Sequence, residues 1–99
     1  MDKIQLVDAF GSEARLLIMG AISDKPRYIS QIVGDTGLTR PAVCFHLGVL
    51  ERVDLVSSTY EVIEPPNSPA GRAARVYTLN KDKYREARVA FEKLAPEIK

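Results

Sequence analysis

His46 and Cys44 stand two residues apart, and they are the only histidine and the only cysteine among 99 residues. An imidazole and a thiol can hold a metal or form a nucleophile with its base, but each needs further partners nearby. No second cysteine or histidine exists to complete a metal site around them. A catalytic triad built on this single histidine is not visible, nor is a glycine-rich phosphate loop or a paired His/Cys/Asp constellation. No enzymatic activity, catalytic residue, metal or other cofactor is therefore expected. The remaining candidates for chemistry are arginines: Arg40, just after Thr39, and Arg72 and Arg75 in a turn-rich region. A guanidinium makes paired hydrogen bonds to guanine or to phosphate oxygens, which is recognition rather than catalysis.

The elements that would position Arg40 lie in Tyr28 to Leu50, YISQIVGDTGLTRPAVCFHLGVL. Two short helical patterns flank Gly34-Asp35-Thr36-Gly37-Leu38-Thr39, the layout of a helix-turn-helix. Ile29, Ile32 and Val33 before the turn can pack on Leu38, Val43, Leu47 and Leu50 after it. The second helix is then held out as a probe that fits the major groove. Ser30 is the expected cap of the first of these helices, which should end near Gly34. Thr39 is the expected cap of the probe, with Pro41 in its first turn where the missing N–H costs nothing. The probe should run to Arg52 or Val53.

Beyond it the period becomes extended. Val56 to Ile63 is rich in β-branched residues, and Arg75 to Leu79 reads as a second strand. EPPNSPAGRA between them reads as an exposed hairpin tip. Upstream, Ile4, Leu6, Val7 and Phe10 suggest a two-turn helix broken near Gly11. Ser12 should cap a second helix carrying Leu17, Ile18, Ala21 and Ile22 on one face, ended by Asp24-Lys25-Pro26. Arg27-Tyr28-Ile29 reads as a short extended piece. The last segment is helical again: Tyr84, Ala87, Phe91, Leu94 and Ile98 form a narrow heptad-like seam, with Pro96 interrupting its end. The whole is α+β, mainly α: a single winged helix-turn-helix domain over 1–99. The helix-turn-helix spans about 29–53, a two-stranded β-hairpin wing about 55–79, and terminal helices about 2–10 and 81–95.

Bulk composition fits one small domain, with 45% apolar residues and a net charge of +1. The charge is unevenly spread: residues 72–93 carry seven basic and three acidic groups, whereas residues 1–37 carry four basic and five acidic. Local excess of this kind steers a protein toward phosphates more than net charge does. A lone cysteine suits a reducing compartment, and neither a membrane span nor a secretory signal is visible. A cytoplasmic location is the expectation.

GSEARLLIMGAIS, then YISQIVGDTGLTRPAVCFHLGVLERVDLV, then RVYTL resembles the ArsR-type winged-helix repressors and their close archaeal relatives. Gly37-Leu38-Thr39, Val43, His46-Leu47, Leu50-Glu51 and Leu55-Val56 fit the family pattern in register, and the likeness covers roughly residues 12–79. MarR-like and other winged-helix groups share much of the pattern. Metal-sensing members carry a cysteine pair before the probe, or Asp/His ligands on the last helix. Tyr28 to Val33 has no cysteine and the final helix no histidine, so metal sensing is not carried over.

The resemblance places Thr39, Arg40, Pro41, Ala42, Cys44, Phe45 and His46 on or near the exposed side of the probe. Arg40 either reads a base or is a solvated arginine touching phosphate. Phe45 either meets thymine methyls and sugar edges or folds into the core, and Cys44 is either a small apolar filler or a thiol switch. His46 is expected to be structural or phosphate-bonding. Arg72 and Arg75 either suit the narrow minor groove, with Glu61 and Glu64 concentrating contact near Arg72, or are solvated arginines of an unordered loop. Lys81, Lys83, Arg85 and Arg88 either touch the backbone or form the wet face of the last helix. The seam of the last helix, with Ile4, Val7 and Phe10 of the first, either packs within the chain or pairs with a second copy; the resemblance implies a homodimer through these helices, with Ile4, Val7, Phe10, Tyr84, Ala87, Phe91 and Leu94 at its interface. A twofold dimer would place two probes one turn of DNA apart on a palindromic site. The expected function is a homodimeric regulator, most simply a repressor, that binds double-stranded DNA. The alternative is a winged helix used for protein–protein contact in a larger assembly, which near-neutral charge and Phe45 on the probe would suit.

Overall fold

The computed structural model describes residues 1–63 and 72–94. Chain order is α1 (Lys3–Phe10), α2 (Glu13–Ala21), β1 (Arg27–Tyr28), α3 (Ile29–Thr36), α4 (Arg40–Arg52), β2 (Val56–Ile63), β3 (Arg72–Leu79) and α5 (Lys81–Leu94). Residues 64–71 of the expected tip at 64–73, with Glu64, lie outside the described residues, as do Pro96, Ile98 and the Arg72 side chain; Arg72 and Ala73 of that tip belong to β3. The fold is mainly helical with a winged helix-turn-helix, as expected.

Local chemistry sets most boundaries. Asp2 and Gln5 form a reciprocal capping box that starts α1, with Gln5 N donating to Asp2 Oδ1 at 2.8 Å. Gly11 ends it: its N–H donates to Val7 O at 2.7 Å, and a Cβ there would stand 2.5 Å from that oxygen. Ser12 caps α2 by accepting from Arg15 N. Within α2 the inward residues are Ile18 and Met19, with Ile22 just past its end, whereas Leu17 is exposed. The inward face thus excludes the expected Leu17, because the unbroken run from Leu16 to Ile22 does not reveal which side faces in. The helix also ends earlier than Asp24, with Ile22 as its cap.

The turn is tighter than expected. Tyr28, not Ser30, caps α3, and Gln31 Oε1 accepts from Tyr28 N at 3.0 Å. The helix continues through Gly34 to Thr36, whose hydroxyl donates to Ile32 O at 2.7 Å. It stops at Gly37, which takes the left-handed conformation with φ 74° and returns its N–H to Val33 O. Only Gly37, Leu38 and Thr39 therefore separate the two helices.

The core joins this motif to the rest. Ile18, Ile22, Ile32, Val43, Leu47, Leu50 and Leu55 are the largest fully buried side chains. Ile29, Val33 and Leu38 pack on them at the edge. Burying an aliphatic side chain of this size stabilises by roughly 1.5–3 kcal/mol, so this cluster fixes the angle at which α4 stands.

The sheet is antiparallel with order β1-β3-β2. The extended piece at Arg27-Tyr28 is thus a third strand, pairing Arg27 with Tyr77 and Tyr28 with Val76. The hairpin pairs Val56 with Leu79 through Ile63 with Arg72, so β3 begins three residues before the expected Arg75. Its base is held in the core by Val56, Val76, Tyr77 and Leu79. Farther out Tyr60 and Val62 are 70% and 71% exposed, so the hairpin leaves the body there. Among the described residues no helix is long and apolar enough to cross a membrane.

Candidate nucleic-acid interface

Helix α4 begins at Thr39, whose backbone is extended and whose Oγ1 accepts from Ala42 N at 3.3 Å. Pro41 occupies the first turn. Val43, Leu47 and Leu50 point into the core at helical spacing, so the opposite side carries Pro41 and Phe45 with Cys44 beside them, while Arg40 is exposed in the first turn. Thr39, Arg40, Pro41, Cys44 and Phe45 are exposed, while Ala42 and His46 are half-buried. Phe45 is 60% exposed, so the expectation that it might serve the core is overturned. Cys44 is a free, exposed thiol and not a packed filler.

His46 leaves this exposed row and turns toward α2. Burial lowers its pKa below the usual imidazole value, and the Arg15 guanidinium lowers it further. Its Nδ1 is buried without a hydrogen-bond partner among the described residues. The Phe45 ring meets it edge-on at 5.3 Å between centroids. Arg15 in turn donates to the Asp8 carbonyl near the end of α1, so His46 belongs to the seam between α1, α2 and α4.

Arg75 also differs from expectation. Its guanidinium lies over the Tyr60 and Tyr77 rings, at 5.6 and 5.7 Å from their centroids. It pairs with Glu51 Oε2 at 3.7 Å, and the same oxygen accepts from Ser58 Oγ at 3.2 Å. It is thus turned back onto the last turn of α4 instead of reaching outward as a minor-groove reader. The Tyr77 hydroxyl has a raised pKa, chiefly through burial, with Arg75 opposing and Glu51, Cys44 and Tyr60 adding to the rise. Glu61, on the opposite face of the hairpin, accepts from the Tyr28 hydroxyl at 3.3 Å. Tyr60, Tyr77, Glu51 and Ser58 were not foreseen at the site. The only local hint was the two-residue spacing of Arg75 and Tyr77, which puts them on one face of a strand.

On α5, Arg85 pairs with Asp82 at 3.0 Å and Arg88 with Glu92 at 3.1 Å, both on the exposed surface. Arg88 also donates to the Tyr84 hydroxyl at 2.8 Å, which raises its pKa together with Glu92. The residues expected at a dimer interface divide into two groups. Phe10 and Ala87 are buried inside the chain, so they are intrachain core and not free surface. The Phe10 ring packs against Tyr84 and Phe91 at 5.7 and 5.4 Å between centroids. Ile4 and Val7 are exposed, and Tyr84, Phe91 and Leu94 are half-buried. Ile4, Val7 and Leu94 border an open groove of about 280 Å³. Among the described residues no three His, Cys, Asp or Glu side chains gather into a group able to hold a metal.

A capped helix held on a helix-turn-helix, followed by a hairpin whose outer part leaves the core, defines the winged-helix class of DNA-binding regulators. Two comparisons narrow that class. Residues 12–58, from the cap of α2 into β2, match the model of the ArsR family of bacterial regulatory proteins. Over 84 residues the chain is 30% identical to an uncharacterized HTH-type transcriptional regulator of Methanocaldococcus jannaschii, covering 85% of this chain and 82% of that protein. The protein belongs to the ArsR family of transcriptional regulators. Its fold is similar to that of a possible transcriptional regulator for arsenical resistance, with a TM-score of 0.66 and 19% identity over 91% of this chain and 82% of the other. It is also similar to the homodimeric winged helix-turn-helix DNA-binding domain Mb0332 of Mycobacterium bovis, a possible ArsR-family regulator. That match has a TM-score of 0.61 and 19% identity, and covers 95% of this chain and 78% of the other. The protein is accordingly a DNA-binding winged-helix regulator of transcription.

Proposed function

We propose that the protein is a homodimeric repressor that recognises a palindromic duplex site through α4 and excludes the transcription machinery by occupying it. The observation that carries this reading is the exposed patch of Arg40, Pro41, Cys44 and Phe45 on a helix anchored in the core by Val43, Leu47 and Leu50. In the groove, Arg40 reads guanine or an adjacent phosphate, Thr39 reaches phosphate, and Phe45 and Ala42 meet thymine methyls or sugar edges. Cys44 and Pro41 complete the contact surface. Arg72, at the start of β3, supplies the wing contact. His46 supports the helix from its buried side, and Arg75 acts through Glu51.

The homodimer rests on two supports. Ile4 and Val7 leave apolar surface on α1, and Leu16, Leu17 and Val89 leave more on α2 and α5. The structurally similar Mycobacterium bovis domain is itself homodimeric. One observation favours the second reading, a protein-contact module: a 60% exposed phenylalanine on the probe of a protein whose net charge is only +1.

Selection of bound duplexes from a random pool tests both. A recovered palindrome whose affinity falls steeply with salt supports the repressor. Failure to bind any duplex at low salt removes it and leaves the protein-contact reading.

A further inference from the structure

We infer that Glu51 is a positioning residue that ties both wing strands to the probing helix, so that α4 and the wing read DNA as one rigid unit. This rests on the DNA-binding reading above and deepens it. Glu51 lies in the last turn of α4, and a single carboxylate oxygen, Oε2, serves both strands of the hairpin. Ser58 of β2 donates to it at 3.2 Å and Arg75 of β3 lies 3.7 Å away.

The location gives the contact its consequence. Ser58 pairs with Tyr77 and Tyr60 pairs with Arg75. Tyr77 is the outermost buried residue of its face of the sheet; in the next pair out on that face, Tyr60 and Arg75 are both exposed. The Glu51 contacts therefore sit where the hairpin loses core support on that face. The rings of Tyr60 and Tyr77 bracket the Arg75 guanidinium from the two strands and leave it few alternative rotamers.

Electrostatics point the same way. Glu51 lies at the end of α4 away from Arg40, and Arg75 pairs its carboxylate within the protein. Arg75 is thus engaged within the protein and does not belong among the phosphate-neutralising groups. An exposed ion pair alone contributes little. The clasp matters because it joins the last turn of α4 to both strands of the hairpin at this level.

The test uses the full chain with Glu51→Gln, Arg75→Ala and the double variant, on a duplex selected by the wild type. Amide hydrogen exchange in the free protein should rise in the hairpin beyond Ser58 in both single variants, with α4 unchanged. Affinity should fall roughly threefold to tenfold in each, and by no more in the double variant, since the two residues act as one unit. The slope of binding against salt should stay as in the wild type, and hydroxyl-radical protection should disappear only where the wing lands. A merely stabilising role would lower the melting temperature without that local loss of protection. If Arg75→Ala instead lowers the salt slope by about 1 while Glu51→Gln leaves or tightens binding, Arg75 is a phosphate contact and the inference is wrong. If the wild type protects no duplex, the DNA-binding reading fails, and unchanged or raised wing exchange still decides whether Glu51 ties the wing.

Discussion

Arg40 stands exposed in the first turn of α4, where a recognition helix points most directly into the groove. Thr39 fixes that turn through its bond to Ala42 N. The guanidinium therefore starts from a rigid base, which a bidentate contact to guanine requires. Replacing Arg40 by alanine should relax preference at one position in each half-site of the selected motif, a loss of roughly 1–3 kcal/mol of discrimination. An unchanged motif from the same selection would show that Arg40 is not the reader. Arg72→Ala should weaken binding evenly across sequences, as expected of a contact that carries no base information. His46 makes a different kind of prediction. Burial and Arg15 depress its pKa in the folded protein below the ordinary 6.5. The unfolded chain then binds the proton more readily, so the neutral imidazole's contribution to stability is complete above about pH 6.5 and is lost as pH falls through the depressed value. Melting curves across that window should show the wild type losing stability toward acid, with His46→Gln showing less of that dependence.

At the scale of elements, the turn is held by backbone conformation as well as packing. Gly37 has φ 74°, and a Cβ there would meet nothing within 4 Å. Gly37→Ala therefore isolates the conformational cost, roughly 1–2 kcal/mol of stability in a denaturant titration. Leu47→Ala, which removes a side chain only 1% exposed, should cost more, roughly 2–5 kcal/mol. A larger loss at Gly37 than at Leu47 would mean that the turn, not the core, holds α4. These elements were legible in the sequence because their signals are local: Thr39 before Pro41, glycine at a helix end, and apolar residues at helical spacing. What was not legible depends on contacts between distant segments. Leu17 could not be told from Met19 inside an unbroken apolar run. Tyr28 displaced Ser30 as the cap because pairing of β1 with Val76 and Tyr77 fixes where the extended chain ends. The partners of Arg75 depend on hairpin register and on the reach of Glu51 from another element, and neither follows from spacing along one strand. Phe45 was ambiguous for a related reason: its neighbours Val43 and Leu47 are buried, and one step around a helix reverses a side chain's surroundings.

At the scale of the molecule, the terminal helices have two tasks that residue type alone could not separate. Phe10 and Ala87 join α1 to α5 within the chain, together with the aromatic contacts to Tyr84 and Phe91. The apolar surface left over is on the other side of α1, where Ile4 is 75% exposed and borders the groove with Val7 and Leu94. An isoleucine so exposed adds little to the stability of a lone chain, whereas burial against a second copy would recover most of its transfer free energy. The two substitutions that separate these tasks are Ile4→Asp and Phe10→Ala. Ile4→Asp should leave the thermal stability of a monomer nearly unchanged while shifting sedimentation from dimer to monomer, because a carboxylate cannot be buried unpaired at a symmetric contact. Binding to a palindrome should then fall toward that of a single half-site, with loss of the second probe's phosphate contacts and a shallower salt slope. Phe10→Ala should instead destabilise the chain itself, by roughly 3–5 kcal/mol. A dimer that survives Ile4→Asp would place the twofold contact elsewhere, on the exposed Leu16 and Leu17 of α2 or Val89 of α5, and the spacing between half-sites would have to be derived from that geometry.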